Sequence, residues 1–328
     1  MTISHRTRLE CVLSGQKPDR SPVSLWRHFP VDDQDPQTLA GSVVRFQERF
    51  DFDFVKITPS STYCIKDWGV RDEWEGNPEG TRRITKHSVV SGAHWQKLKP
   101  LDPRKGSLGE QLRCVEMIRK ALPEDTPIIQ TIFSPLSQAK NLVGRDNVIA
   151  HLRMYPGQLE SSLQVITETT IRFIEECIKL KIDGIFYAVQ HAQHNLLTVN
   201  EFERFCIKYD KQVLEAIKPL WFNVGHIHGE NIMFDLLADY PVQVLNWHDL
   251  ETPPNLEEGK LKFSGVVCGG MKQWESLVYG SPTQVDKEAK EAIRLTNGTR
   301  FILGTGCVTP IIAPDANIFA VRKAVERS

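Results

Sequence analysis

Short apolar runs bounded by turn residues recur along the whole chain, and amphipathic stretches with helical spacing lie between them. The runs predict strands at Pro22–Leu25, Phe54–Ile57, Ile128–Phe133, Gly184–Ala188, Trp221–Val224, Val242–Asn246, Phe263–Val267 and Phe301–Leu303. Among the helical patterns, Thr198 to Ile217 carries Phe202, Phe205 and Val213 on one stripe, and Thr198 with Glu201 reads as a capping box. Thr283 to Leu295 opens after Pro282 and stops at Asn297-Gly298. Strands alternating with helices in this number predict an α/β fold, a (β/α)8 TIM barrel, with residues 1–328 as a single domain. A doubly wound open sheet is the alternative, but no Gly-rich dinucleotide fingerprint follows the first strand. A long insertion, residues 70–103, falls between the second and third strands. Arg82–Thr85 and Ser88–Val90 predict a hairpin there, and the insertion would serve as a lid over the barrel mouth or as a dimer arm. Trp68, Trp74 and Trp95 suit either role.

In such a barrel the chemistry sits at the C-terminal ends of the strands. The polar residues at the ends of these runs are Arg27 and His28, then Lys56 and Thr58, Ser134, Tyr187, Gln190 and His191, His226 and His228, Asn246, Trp247, His248 and Asp249, Cys268, and Cys307. Half of the 10 histidines fall in these few positions, which favours a functional site over scattered loop polarity. Composition narrows the field. A net charge of −1 argues against a general nucleic-acid or anionic-membrane partner. No apolar stretch approaches the ~18 residues of a membrane span. The opening Met1–Arg6 leads into a charged helical pattern and shows no secretory signal. Seven scattered cysteines suit reduced thiols and a cytoplasmic location better than a disulfide framework.

The pattern with the most chemistry is His226-Ile227-His228, answered far downstream by Cys307. Two imidazoles and a thiolate are zinc-type ligands, and three of them with one open position describe a catalytic site. Residues two apart share one side of an extended segment. Leu220–Val224 supplies that segment, with Gly225 as the turn at its end. The bland alternative is two loop histidines and an unrelated cysteine. Cys268 would add a fourth thiol ligand or simply allow close backbone packing. His248 is a candidate general base, since imidazole titrates near pH ~6.5. Asp249 would orient a metal-bound histidine or cap a loop. Tyr187 and His191 are further catalytic candidates. Lys56, at the end of an apolar strand, would anchor a carboxylate or snorkel to the rim.

Several ordered motifs resemble the uroporphyrinogen decarboxylase superfamily. These are Arg6–Val12 with Gly15 to Asp19-Arg20 and Pro22-Val23, then Phe133-Ser134-Pro135-Leu136-Ser137-Gln138-Ala139, and Gly304-Thr305-Gly306-Cys307-Val308-Thr309-Pro310 with Asn317. The resemblance implies the barrel, a homodimer, and a pocket at the strand C-termini. Its decarboxylase branch uses an Arg-x-x-x-Arg loop, an aspartate after the second strand and a late histidine. Here Arg27 matches the first arginine, the second is absent, Lys56-Ile57-Thr58-Pro59 stands at the aspartate, and Cys307 stands at the late histidine. Those departures speak against uroporphyrinogen as substrate. The methyltransferase branch carries His-x-Cys and a late Cys around a zinc that activates a thiol. His226-x-His228 with Cys307 is similar, one thiolate being replaced by neutral imidazole, which makes the site more positive.

The resulting expectation is a zinc-dependent, methyltransferase-like enzyme acting on a small or medium anionic substrate. His226, His228 and Cys307 would hold the metal. Arg27, His28, Lys56 and Asn246 would bind substrate, and His248, His191 and Tyr187 would serve catalysis. A corrinoid would be methyl donor or acceptor, and a corrinoid protein a partner. The alternatives are a metal-free decarboxylase (a lyase) and a non-catalytic corrinoid- or tetrapyrrole-binding barrel.

Overall fold

The structure is a computed structural model that describes residues 3–326; Met1 and Thr2 of the opening segment lie outside the described residues. The strands in chain order are β1 (Val55–Ile57), β2 (Arg71–Glu73), β3 (Arg83–Lys86), β4 (Ile128–Phe133), β5 (Gly184–Val189), β6 (Val224–Ile227), β7 (Val244–Trp247), β8 (Val266–Met271) and β9 (Phe301–Thr305). Seven of them form one parallel sheet in the order β1-β4-β5-β6-β7-β8-β9. The sheet is completed by Pro22–Leu25, which pairs through a parallel bridge between Val23 and Leu303. On one side the Ser24 and Leu303 amides donate to Leu303 and Pro22, at 3.0 and 2.8 Å; on the other, the Asp53 amide donates to Val23 at 2.9 Å. The fold is therefore the (β/α)8 TIM barrel that the alternation predicts. Every residue of β4, β5 and β8 is buried, as parallel strands covered on both faces must be.

The base of the barrel is latched by one carboxylate. Asp53, fully buried, accepts from Arg8 (2.7 Å), His5 (3.1 Å), both Arg20 nitrogens (2.6 and 3.0 Å) and the Val23 amide (2.8 Å). Arg8 also grips Asp19 at 2.8 and 2.9 Å. The Asp19-Arg20 turn is thus a structural joint between the opening helix, His5–Leu13, and the first staves.

Several expectations shift: β7 and β8 begin at Val244 and Val266, later than the expected Val242 and Phe263. β6 begins at Val224, so Gly225 and His226 lie within the strand; the run before it contributes Trp221 and Phe222 to packing at the base. Phe222 meets Phe54 edge-on at 4.9 Å, and Trp221 donates to Asp183 at 3.0 Å. In the insertion β3 does form a hairpin, but its antiparallel partner is β2, not Ser88–Val90. The polar pairing is fixed by Arg82, which donates to Asp72 at 2.6 Å and to the Pro30 carbonyl at 2.9 Å. The segment from Thr198 keeps its capping box but holds a π-helical turn, Glu203–Ile207, before the helix Lys208–Ala216. The Pro282–Thr296 helix is capped by Ser281 and stops at a left-handed Asn297.

A candidate metal centre at the mouth of the barrel

Register decides which residues meet. His226 on β6 stands opposite Asn246 on β7, and Asn246 stands opposite Cys268 on β8. The Asn246 amide nitrogen donates to the Cys268 and Thr305 carbonyls, both at 2.9 Å. Its Oδ1 is therefore free to accept, and it lies 2.8 Å from His226 Nδ1. The proton of His226 accordingly sits on Nδ1, and the Nε2 lone pair faces the mouth. His228 lies one residue beyond β6, its amide still donating to Val189 at 3.0 Å. His248 comes directly after β7, and Cys307 lies just past the end of β9.

These four side chains converge. One ligand atom from each of His226, His228, His248 and Cys307 lies within 4.8 Å of the others. His248 Nε2 is 3.4 Å from His228 Nδ1, and Cys307 Sγ is 3.8 Å from the same nitrogen. A tetrahedral zinc with Zn–N of ~2.05 Å and Zn–S of ~2.3 Å sets its donors about 3.4 Å (N to N) and about 3.6 Å (N to S) apart. These two separations, and the N and S chemistry of the set, fit the ion. Gly306 makes the approach possible, because a Cβ there would sit 2.8 Å from the His248 Cα and 3.0 Å from the Trp247 carbonyl.

The electrostatics of the two strand-end imidazoles suit a metal, while those of the thiol oppose one. Burial, then the repulsion of His248, lowers His228 to about 3; burial and repulsion by His228 and His248 hold His226 well below the usual imidazole range. Both are neutral, the form that binds metals. Burial pushes the Cys307 thiol up to about 11, against the opposing Val308 backbone bond and the Lys56 ammonium.

The remaining expected site residues divide. Lys56 lies in the lumen, its Nζ 4.4 Å from the Phe186 ring centroid, and Phe186 stacks on His226 at 5.1 Å. Burial lowers it to about 7. His191 and His28 are buried at the mouth, each with an unpartnered Nδ1 and each lowered by burial to about 3. Three assignments are corrected. Arg27 turns away from the lumen, its guanidinium lying 5.0 Å from Phe46 on the helix Pro36–Phe50. Tyr187 also faces the outer layer, where its hydroxyl donates to Asp210 at 2.6 Å. Asn246 holds His226, and the amide groups that would touch a substrate are committed to the protein. The fourth candidate donor is His248 and not Cys268, which is buried beneath Gly304, and Asp249 accepts from the Gly270 amide. A cleft of about 660 Å³ on the barrel flank, walled by Ile232, Met233, Phe234 and Leu261, includes none of the four donors.

A (β/α)8 barrel with three imidazoles and a thiol gathered at the C-terminal ends of its strands has the layout of a barrel enzyme with a candidate metal site. The chain belongs to the uroporphyrinogen decarboxylase (URO-D) family, which it matches over residues 4–328. It is 22% identical over 240 residues to the "Methylcobamide:CoM methyltransferase MtbA" of Methanosarcina mazei, covering 72% of this chain and 68% of that one. It is 26% identical over 223 residues to a uroporphyrinogen decarboxylase of Christiangramia forsetii, covering 65% and 63%. A solved methyltransferase from Methanosarcina mazei superposes with a TM-score of 0.86 at 19% identity, covering 99% of each chain, which shows the shared fold. The chain is an enzyme of this superfamily, methyltransferase-like in its relatives. Among the described residues no helix is long and apolar enough to cross a membrane.

Proposed function

We propose that this protein is a zinc-dependent, methyltransferase-like enzyme acting on a small or medium anionic substrate. The carrying observation is the convergence of His226, His228, His248 and Cys307 within 4.8 Å, with the two separations at His228 Nδ1, 3.4 and 3.8 Å, near those of a tetrahedral ion. Zinc held there would supply Lewis acidity and lower the pKa of a thiol or water in an open position. The protein's own residues do the rest. Asn246 fixes the tautomer and the aim of His226. Three of the four donors would suffice to hold a catalytic zinc with a position open for substrate, which would leave one donor for a second role. His248 is the one suited to it: it sits on a loop, and its Nδ1 is 3.1 Å from the exposed Glu251. In that role it would carry protons. A corrinoid is the proposed methyl carrier, as in the names of the Methanosarcina relatives.

The buried, unpartnered Nδ1 of His191 favours a second reading, a metal-free decarboxylase in which Lys56 and His191 hold an acid. Elemental analysis of the purified protein beside Cys307→Ser separates the two. About one zinc per chain, lost in the variant, supports the first. Absence of zinc in both after zinc incubation, with carbon dioxide release insensitive to chelation, supports the second.

A further inference from the structure

A second cavity, of about 420 Å³, opens between the ends of β7 and β8 and the helices Leu256–Lys262 and Pro282–Thr296, and none of the four donors lines it. Its volume is that of a small-molecule pocket. Leu250, Leu256, Ala292 and Leu295 give it an apolar wall, and Asp249 and Glu288 give it carboxylates. Asp249 is only 6% exposed. Both its oxygens accept from the Gly270 amide, at 3.2 and 3.1 Å, and from no side chain among the described residues. One shared amide leaves most of a carboxylate's acceptor capacity unused.

Two glycines make room for this carboxylate and for the helix beside it. A Cβ on Gly269 would fall 2.2 Å from Asp249 Oδ1, and one on Gly270, at a φ of 97°, 2.5 Å from the Ala292 Cβ. Glycines within a strand weaken it and mark such close approaches. No cation of the chain balances the charge. Lys290 is paired with Asp286 at 2.7 Å and Arg294 with Glu291 at 2.6 Å, while Lys287, on the rim, forms an ion pair with neither Asp249 nor Glu288. Glu288 accepts from the Lys272 amide at 2.5 Å and from the Ser276 hydroxyl, both uncharged. A buried acid without an opposite charge is rare. Among the described residues, three or more metal-type ligand atoms gather only at the barrel mouth, so a divalent ion does not suit this cavity.

We propose that this cavity binds a small organic cation, a primary ammonium on an apolar body, with the ammonium against Asp249 and the body along Leu250, Leu256, Ala292 and Leu295. An ammonium has three donors and no acceptor, which matches a floor that only accepts. The aliphatic wall contributes by excluding water from the apolar part. The site is separate from the donor cluster and does not depend on a metal being bound there.

The probe is 2-phenylethylammonium, titrated into the full-length protein by isothermal calorimetry beside neutral 2-phenylethanol and anionic 3-phenylpropanoate. Saturable binding of the ammonium is expected, at least about tenfold tighter than that of the alcohol, as a charge-assisted bond to a buried carboxylate gives. The acid should not bind. Asp249→Asn, with its fold checked by circular dichroism, should bring the ammonium down to the level of the alcohol. Lys287→Glu, at an exposed position on the rim, should tighten the ammonium by about two- to fivefold and leave the alcohol unchanged. Equal binding of ammonium and alcohol, no saturable binding of the ammonium, undiminished binding in Asp249→Asn, or no tightening in Lys287→Glu overturns the assignment. The titration is repeated after chelation. A response that disappears with the metal places the amine on an ion at the mouth, which overturns the cavity site and leaves the metal reading standing. A response that survives chelation upholds the cavity site, whether or not the protein holds zinc.

Discussion

Asp210 should make this barrel less stable as the pH rises, and Asp210→Asn should abolish that loss. The carboxyl is fully buried on the outer side of β5 and accepts from the Tyr187 and Tyr240 hydroxyls at 2.6 and 2.7 Å. Burial raises its pKa to about 7, outweighing the two tyrosine bonds, which lower it. Between the ordinary value of 3.8 and about 7, the unfolded chain has given up a proton that the folded chain keeps. Stability therefore falls across that window and is level on either side. The span corresponds to about 4 kcal/mol at roughly 1.4 kcal/mol per pH unit. Asparagine is nearly isosteric and does not titrate, so below pH 4 the variant should be weaker by the roughly 1 kcal/mol of one altered hydrogen bond. Above pH 7 it should be the more stable protein by about 3 kcal/mol, the same two figures taken together. Urea unfolding of both proteins, monitored by circular dichroism from pH 4 to 8.5, measures the gap directly. The buried histidines tilt both curves equally and cancel in the difference. A gap that stays constant with pH, or moves the opposite way, would refute the reasoning and show the tyrosines holding Asp210 ionised.

Two further outcomes come from the geometry. Asn246→Leu leaves His226 free to rotate and to change tautomer, so zinc affinity should fall by about 10- to 100-fold in competition with a chromophoric chelator, with the fold intact by circular dichroism. Asp53→Asn strips the counter-charge from Arg8 and Arg20 at the barrel base and should cost about 3–5 kcal/mol in unfolding free energy. Burial would raise the Asp53 carboxyl, but its bonds to His5 and Arg20 and the charges around it hold it well below the usual range. The wild type therefore keeps this stabilisation above the ordinary carboxylate pKa and loses it as pH falls through the acid range. The variant, measured by the same unfolding assay, should lack that acid dependence.

The strand count, the barrel and the convergence of His226, His228 and Cys307 at its mouth are legible because apolar runs and turn residues mark each β-to-α passage, and β4 falls on its expected bounds. What the chain conceals is phase. Strands buried on both faces are apolar on both, so nothing in the pattern says whether Tyr187 or Phe186 points inward. The same ambiguity misplaces Arg27. The apolar pattern sets β6 too early because Gly225 and His226 break the run that marks a strand. The fourth donor is hidden because His248 joins the others only through register, and Asn246 looks like a substrate contact as long as its three hydrogen bonds are unknown. The partner of β3 is Arg71-Asp72-Glu73, a polar triplet with no strand signature, positioned by charge pairing.

The carboxylate latch at Asp53 and the donors at the mouth occupy opposite ends of the same staves. The charge-paired latch lies where no substrate goes, apart from the donors at the rim. Such a barrel can exchange one ligand for another, as a thiol-rich centre for an imidazole-rich one, without putting its folding at risk. New chemistries within this architecture are therefore accessible by single steps at the rim, each one viable as a protein before it is useful as a catalyst.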